Sequence, residues 1–474
     1  MGCVHFNHGD VKSSVFFDHE GLITMKRLID YYLQAWKQSE ERKPLLLRGA
    51  RQIGKTYAVR QLGNTFDSFV EVNFEFVAQA RDVFEQDLDP DRIIRDLSLI
   101  VGTQIVPGKT LLFFDEIQGV PKALIALRYF YEKLPQQHII AAGSLLDFTI
   151  QSVGIPVGRV SSLYMYPLSF FEFLCACGHE LLAQAIMPGA ITVPISDGVH
   201  KKLLMLLGEF CAIGGMPEAV MQWKKKRNPA ICAEVHHALV DTYRQDFGKY
   251  AERFQIKYLD LLFNAIPRFL GSKFKYSFIE GKYRKRELAP CVDLLTTAGV
   301  AHAVTRSAGN GIPLGAEADA ESFKLIFLDI ALGQALLGLD VKAWFLNSEQ
   351  EFVNKGSVAE ALVGQELLAY THPTRKDHLF YWQRNTTGSE AEIDYLMSSA
   401  GVVIPVEVKS GTGNTLKSMH MFLDSHQQSP YGLKFSVHNY SVHEKIHSYP
   451  LYAISSIIKD HGHDIRAFEG VAKI

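Results

Sequence analysis

The apolar positions of this chain change their period along its length. Residues 20–42 carry Leu22, Met25, Leu28, Tyr32 and Trp36 at helical spacing, which predicts an amphipathic helix leading into the next segment. Between 44 and 175, strand-like segments at 44–47, 69–74, 111–114 and 138–142, mostly apolar, alternate with helical stretches. That alternation predicts a parallel sheet with helices on both faces. Residues 200–310 read as mostly helical, beginning at Leu203, Leu204, Leu206 and Leu207. Within them, 284–295 is predicted as a helix and 298–304 as a turn and strand. Further on, 357–370 is a helical run, 391–396 alternates polar and apolar as a half-buried strand should, and 402–409 is a second strand.

Composition narrows this little. The chain has 474 residues, room for two to four domains. Hydrophobic residues make up 47% and charged residues 21%, as in ordinary soluble chains. A net charge of −2 and a pI near 6.8 exclude a global field that draws the chain to nucleic acid or membrane, so any such contact needs a local patch. No apolar run reaches the ~18 residues that span a bilayer. The six cysteines are scattered, Cys175 and Cys177 forming a close pair without zinc spacing, and this points to a reducing, cytoplasmic setting.

The chemistry concentrates at 49–56, GARQIGKT, which fits G-x-x-x-x-G-K-T. Gly49 and Gly54 let the backbone close around a phosphate while Ala50, Arg51, Gln52 and Ile53 point their amides inward. Lys55 reaches the β- and γ-phosphates, the Thr56 hydroxyl is a Mg²⁺ ligand, and Tyr57 continues into the helix. An apolar strand before and a helix after give the arrangement that holds an anionic phosphate at a helix N-terminus.

About 60 residues on, the strand Thr110-Leu111-Leu112-Phe113-Phe114 ends in Asp115 and Glu116. Ligand groups sit at the carboxyl ends of parallel strands. Asp115 is placed to hold Mg²⁺, and Glu116 to polarise an attacking water. The next strand ends at Ala142-Gly143-Ser144, where Ser144 either senses the γ-phosphate or caps the following helix.

The set GARQIGKT, LLFFDE and AAGS resembles the AAA-type P-loop ATPases. Gly158-Arg159-Val160, then PLSFFEF at 167–173 and Gly214-Gly215-Met216-Pro217-Glu218, sharpen the resemblance to a prokaryotic group that joins an AAA-type ATPase domain to a C-terminal domain of unknown function. It covers about residue 25 to 474. It implies ATP rather than GTP, in keeping with the lack of an N-K-x-D string. It also implies Arg159 as a trigger aimed at the γ-phosphate, which would need a neighbouring subunit or domain, so that a homo-oligomer or a protein partner is expected. No lid arginine of the ring-forming type is evident. The expected organisation is an N-terminal extension (1–19), an AAA-type P-loop ATPase domain (20–175), a helical lid (176–235), a winged-helix-like module (236–315) and a C-terminal α/β domain (316–474).

Two further clusters remain. Lys273, Lys275, Lys282, Arg284, Lys285 and Arg286 interleave with Phe274, Tyr276, Phe278 and Tyr283, opposed by Glu280 and Glu287. Beside a recognition helix, such residues can neutralise DNA phosphates. In the C-terminal region, Asp394 is followed after twelve residues by Glu407-Val408-Lys409. Period two puts Glu407 and Lys409 on one face. This resembles the PD-(D/E)xK nuclease-like core, completed by a helical glutamate, Glu360 or Glu366, with the acids holding a metal and the lysine orienting water. Three readings stand side by side: an ATPase coupled to a C-terminal DNA-interacting module, an ATP-gated DNA-binding regulator with an inert nuclease-like domain, and an ATP-licensed metal-dependent nuclease.

Overall fold

The computed structural model describes residues 25–339, 342–376, 378–384, 391–409, 416–458 and 462–472. The expected N-terminal extension and Leu22 of the leading helix lie outside the described residues; that helix runs Leu28–Gln38. The described chain forms two compact units. One holds residues 25–26, 33–47 and 56–161, the other 27–32, 48–55 and 162 onward.

A five-stranded sheet comprises β1 (Leu45–Arg48), β2 (Ser68–Asn73), β3 (Thr110–Asp115), β4 (His138–Ala142) and β5 (Ser161–Tyr164), in the order β2-β3-β4-β1-β5. The β2–β3, β3–β4 and β4–β1 pairs are parallel. Every residue of β3 and β4 is buried, as their unbroken apolar runs predict for central strands. At the edge, β2 buries Val70 and Val72 while Glu71 reaches out to Arg60 at 2.7 Å. Phe74, Phe84 and Phe114 pack edge-on or tilted beneath the helices Pro90–Val101 and Pro121–Lys133. The first of these helices starts where Asp89 accepts the Arg92 amide and Pro90 pre-sets the first turn; it stops at Gly102, whose φ of 68° suits glycine. The registers Asn73↔Asp115, Phe114↔Ala141 and Leu47↔Ala142 bring the carboxyl ends of β1, β3 and β4 to one edge.

The other unit begins with helices, among them Asp197–Ile213, Pro217–Lys226, Pro229–Tyr250, Ile256–Ala265 and Lys285–Thr297. It ends in an eight-stranded mixed sheet of β6 (Ala301–Ser307), β7 (Ala318–Phe327), β8 (Leu379–Gln383), β9 (Glu392–Ser399), β10 (Val402–Lys409), β11 (Gly432–Ser436), β12 (Ser441–His443) and β13 (Ile446–Pro450). Their order is β12-β13-β11-β10-β9-β8-β6-β7. The strings PLSFFEF and GGMPE, mute in the sequence, meet here. The Leu168 amide donates to the Gly215 carbonyl at 2.7 Å, and the Gly215 amide donates to Asp329 at 2.7 Å. Gly214 has φ 76°, and a Cβ on it would come within 2.3 Å of Asp329 Oδ1. Asp329 is fully buried and also caps the helix Ile330–Leu336 through the Ala331 and Leu332 amides.

Two expected boundaries do not coincide with breaks in the fold. The helix Pro229–Tyr250 runs through 235/236; the punctuation falls earlier, where Arg227 is left-handed, Asn228 caps and Pro229 opens the helix. The 315/316 boundary lies inside the antiparallel β6–β7 hairpin, and β6 also pairs with β8, so the strand expected at 298–304 belongs to the eight-stranded sheet.

Candidate nucleotide site

The chain leaves β1 into a loop shaped by its glycines. Gly49 has φ 134°, and a Cβ there would sit 2.3 Å from the Met165 carbonyl oxygen, whose own amide bonds the Arg48 carbonyl at 2.9 Å. Gly54 has φ 97°. Gln52 is left-handed at φ 61° without being glycine, a conformation held only where the surroundings fix it. Those surroundings are explicit. The buried Arg27 donates to the Ile53 carbonyl (3.0 Å), the Tyr166 carbonyl (2.8 Å) and Glu172 (2.9 Å). The Tyr243 hydroxyl donates to the Arg51 carbonyl at 2.6 Å, and the Arg51 side chain donates to both oxygens of Asp246, each at 2.6 Å. Lys55 folds over its own loop, its ammonium bonding the Gly49 carbonyl (2.9 Å) and the Ala50 carbonyl (2.6 Å). Ala50 and Ile53 are buried. The helix Lys55–Gly63 starts at the loop's end and aims its first amides back along the chain.

In the first unit, Thr56 donates to Asp115 at 3.3 Å, Asn73 donates to the same carboxylate at 3.3 Å, and the Glu116 amide donates at 3.1 Å. Asp115 is buried, and its carboxyl is pushed up to about 6, by burial first and then by the negative charges of Glu116 and Glu71. Glu116 is left-handed at φ 53° and ψ 42°, a strained conformation for a glutamate that turns its side chain back toward the strand ends. Its carboxylate accepts from Gln118 (2.5 Å) and from the amide and hydroxyl of Ser144 (3.4 Å each). Gly143 makes room for this: a Cβ there would come 1.8 Å from Gln118 Oε1. Thus β3 and β4 bring Asp115, Glu116 and Ser144 together. Ser144 is not a helix cap, because the helix Leu146–Val153 is preceded by Leu145 and receives no side-chain cap. The Tyr57 hydroxyl accepts from the Met25 amide at 3.1 Å.

Arg159 stands apart from these acids. It is half-exposed, bonds Glu132 at 2.9 Å and lies over the Tyr131 ring. Within this chain it forms a surface ion pair.

A cluster of four carboxylates and two lysines gathers in the other unit. Glu360, Asp394, Glu407 and Lys409 converge, with Lys324 and Glu392 among them. Glu366 goes elsewhere: it accepts the Phe170 amide at 2.9 Å, and burial pushes it up to about 8. Among the described residues, no group of three or more His, Cys, Asp or Glu side chains is arranged to hold a metal ion by itself. At Asp115 the donor set nevertheless suits Mg²⁺, which takes one or two protein oxygens and completes its shell with phosphate and water. Thr56 and Asp115 would supply those oxygens, and the crowding of three acids is a charge that a cation would relieve.

Residues 41–174 match an AAA domain. Residues 205–343 and 355–454 match two domains of unknown function (DUF8612 and DUF4143). No protein of curated function matches the chain. Among solved structures, a Walker-type ATPase of Pyrococcus abyssi is similar over 66% of this chain and 98% of its own, at 16% identity and a TM-score of 0.42. The Hsp104–ADP complex of S. cerevisiae is similar over 71% of this chain and 43% of its own, at 9% identity and a TM-score of 0.27. Neither likeness is close enough to carry a residue's role across. No helix among the described residues is long and apolar enough to cross a membrane.

Sequence reading of the AAA domain and its surroundings missed Asn73, Gln118, Arg27, Tyr243 and Asp246. Asn73 had a signal: it closes the apolar β2 as Asp115 closes β3, and their register pairs them. Gln118 comes two residues after the acids. The remaining three act on the loop from 26, 192 and 195 residues away, a separation no local pattern reports.

Proposed function

We propose that the chain binds ATP with Mg²⁺ and hydrolyses it. The observation that carries this reading is the acid pair at the end of β3: Asp115 takes the hydroxyl of Thr56, and Glu116 is turned by its left-handed backbone toward Ser144. The loop amides and Lys55 hold the phosphates, which carry the negative charge that the helix start and the ammonium favour. Thr56 and Asp115 hold Mg²⁺, which when bound shields phosphate charge. Glu116 orients the attacking water and accepts its proton, and Ser144 and Gln118 keep that carboxylate aimed. Phosphate release measured with ATP and Mg²⁺ tests the reading. The parent protein turns over, and Glu116→Gln retains nucleotide while its turnover falls ~10²–10⁴-fold, the usual worth of a general base. Absence of turnover in the parent, across metals and with or without DNA, removes the reading.

A second element of the proposal is that nucleotide state is coupled to DNA. It is supported by the exposure of Lys275, Lys282, Arg284, Lys285 and Arg286 in one segment. Their aromatic neighbours divide: Phe274 is buried on Phe323, whereas Phe278 and Tyr283 are exposed. Lys285 is paired with Glu321. Affinity for duplex DNA that falls with salt, with a slope reduced by about one for each phosphate-binding residue removed (Lys282→Ala, Arg286→Ala), supports it; unchanged slopes remove it.

A further inference from the structure

We propose that the resident cation of the C-terminal carboxylate cluster is the ammonium of Lys324, and that this domain therefore binds no divalent metal there and cleaves no phosphodiester. The inference concerns this cluster and is independent of the nucleotide reading.

Lys324 lies near the inner end of β7 and is almost fully buried, a place where a lysine is kept charged only by direct partners. It has them. Its Nζ bonds Glu360 at 2.8 Å and Glu392 at 2.5 Å, and stands 3.9 Å from Asp394. The ring of Tyr381 lies 5.2 Å from the same nitrogen, adding its π-face. These partners come from the helix Gly356–Ala369 and from β9 and β8, so that with β7 itself four elements converge on one ammonium. The neighbouring acid is treated alike: Glu407 bonds Lys409 at 2.5 Å. The second oxygen of Asp394 accepts the Val408 amide at 2.7 Å.

A divalent ion bound to these carboxylates would need oxygens at about 2.0–2.6 Å. Glu360 and Asp394, the helical and strand acids on which such a site would rest, already face the ammonium. A metal between them would lie within a few ångströms of that positive charge, in a buried site where repulsion is weakly screened. Glu407 Oε2 is buried with no hydrogen-bond partner among the described residues, and its other oxygen is held by Lys409.

The test is Mn²⁺ binding, measured by electron paramagnetic resonance on the full chain without nucleotide, for the parent, Asp394→Asn, Lys324→Met and Lys324→Met/Asp394→Asn. The expected result is the same Mn²⁺ stoichiometry in the parent and Asp394→Asn. Lys324→Met should gain about one further Mn²⁺ per chain, lost again in the double variant. A parent site that disappears in Asp394→Asn overturns the proposal, as does a folded Lys324→Met that gains no ion. Should Lys324→Met fail to fold, the parent and Asp394→Asn decide between themselves, together with plasmid cleavage. Cleavage by the parent in Mg²⁺ or Mn²⁺ that is lost in Asp394→Asn overturns it; no cleavage supports it.

Discussion

Arg27 Nε donates to Glu172 Oε1 at 2.9 Å, and both side chains are buried. The same guanidinium bonds the Ile53 carbonyl in the phosphate loop, while Glu172 closes the capping box of the helix Phe170–Ala176 and accepts the Leu28 amide. A residue ahead of the AAA domain's match and one inside PLSFFEF thereby fix the outer side of the loop. Within PLSFFEF, Glu172 is the residue that makes this contact.

Removing one member of such a pair strands a buried charge. Arg27→Ala should destabilise the fold by about 3–5 kcal/mol, read as a lowered midpoint in urea. Glu172 is held below its ordinary range, by Arg27 and the two amides against the opposing effect of burial. A carboxylate depressed on folding contributes stability that is present above its unfolded value and lost as the pH falls through the folded one. Parent stability should therefore decline as the solution is acidified below about pH 4.5, the ordinary glutamate value, and the Arg27→Ala variant should show a flatter decline.

Asp115 should make nucleotide binding pH-dependent. Its carboxyl is raised to about 6, and only the ionised form serves a metal. Below pH 6 the dissociation constant for Mg·ATP should rise roughly tenfold per pH unit, while that for metal-free ATP changes little. In Asp115→Asn the metal-linked slope should be absent. Calorimetric titration between pH 5 and 8 checks this, and an identical slope in the variant would contradict it.

The Tyr243–Arg51–Asp246 contacts should set the shape of the loop. Tyr243→Phe removes a hydrogen bond worth about 1 kcal/mol, so nucleotide affinity should fall about fivefold with little change in the melting temperature. Asp246→Asn keeps the shape and removes the charge facing Arg51 and Lys249, and should weaken binding similarly. Fluorescent-nucleotide titration reads both. Unaltered affinity in both variants would reduce these contacts to packing.

Gly214 should tolerate no side chain. A Cβ there would meet Asp329, and φ is 76°, so Gly214→Ala combines a clash with left-handed strain of order 1–3 kcal/mol. Gly102 also has a positive φ but open space around it, so Gly102→Ala should cost less. Denaturation midpoints of the two variants check the order.

Legibility in the sequence was a matter of range. The four early strands appear within a residue of the apolar runs, because a buried parallel strand needs no partner's pattern to declare itself. Gly49, Lys55, Thr56, Asp115 and Glu116 could be read because their chemistry is written in adjacent residues. Asp394, Glu407 and Lys409 could be read because strand period fixes faces, yet Lys324 could not: its run, Ser322 to Phe327, presents the lysine as an ordinary polar position of a strand. Only the pairing of β7 beside β6, and of β6 beside β8, brings it to the acids. The wing was misplaced for the same reason. A hairpin looks alike whether it stands free or joins a larger sheet.

The most direct test is calorimetric titration of Mg·ATP into the full chain and into Lys55→Ala. The account predicts saturable binding of one nucleotide per chain that is lost in Lys55→Ala. No heat in the parent at millimolar nucleotide, or equal binding by the two proteins, would contradict it.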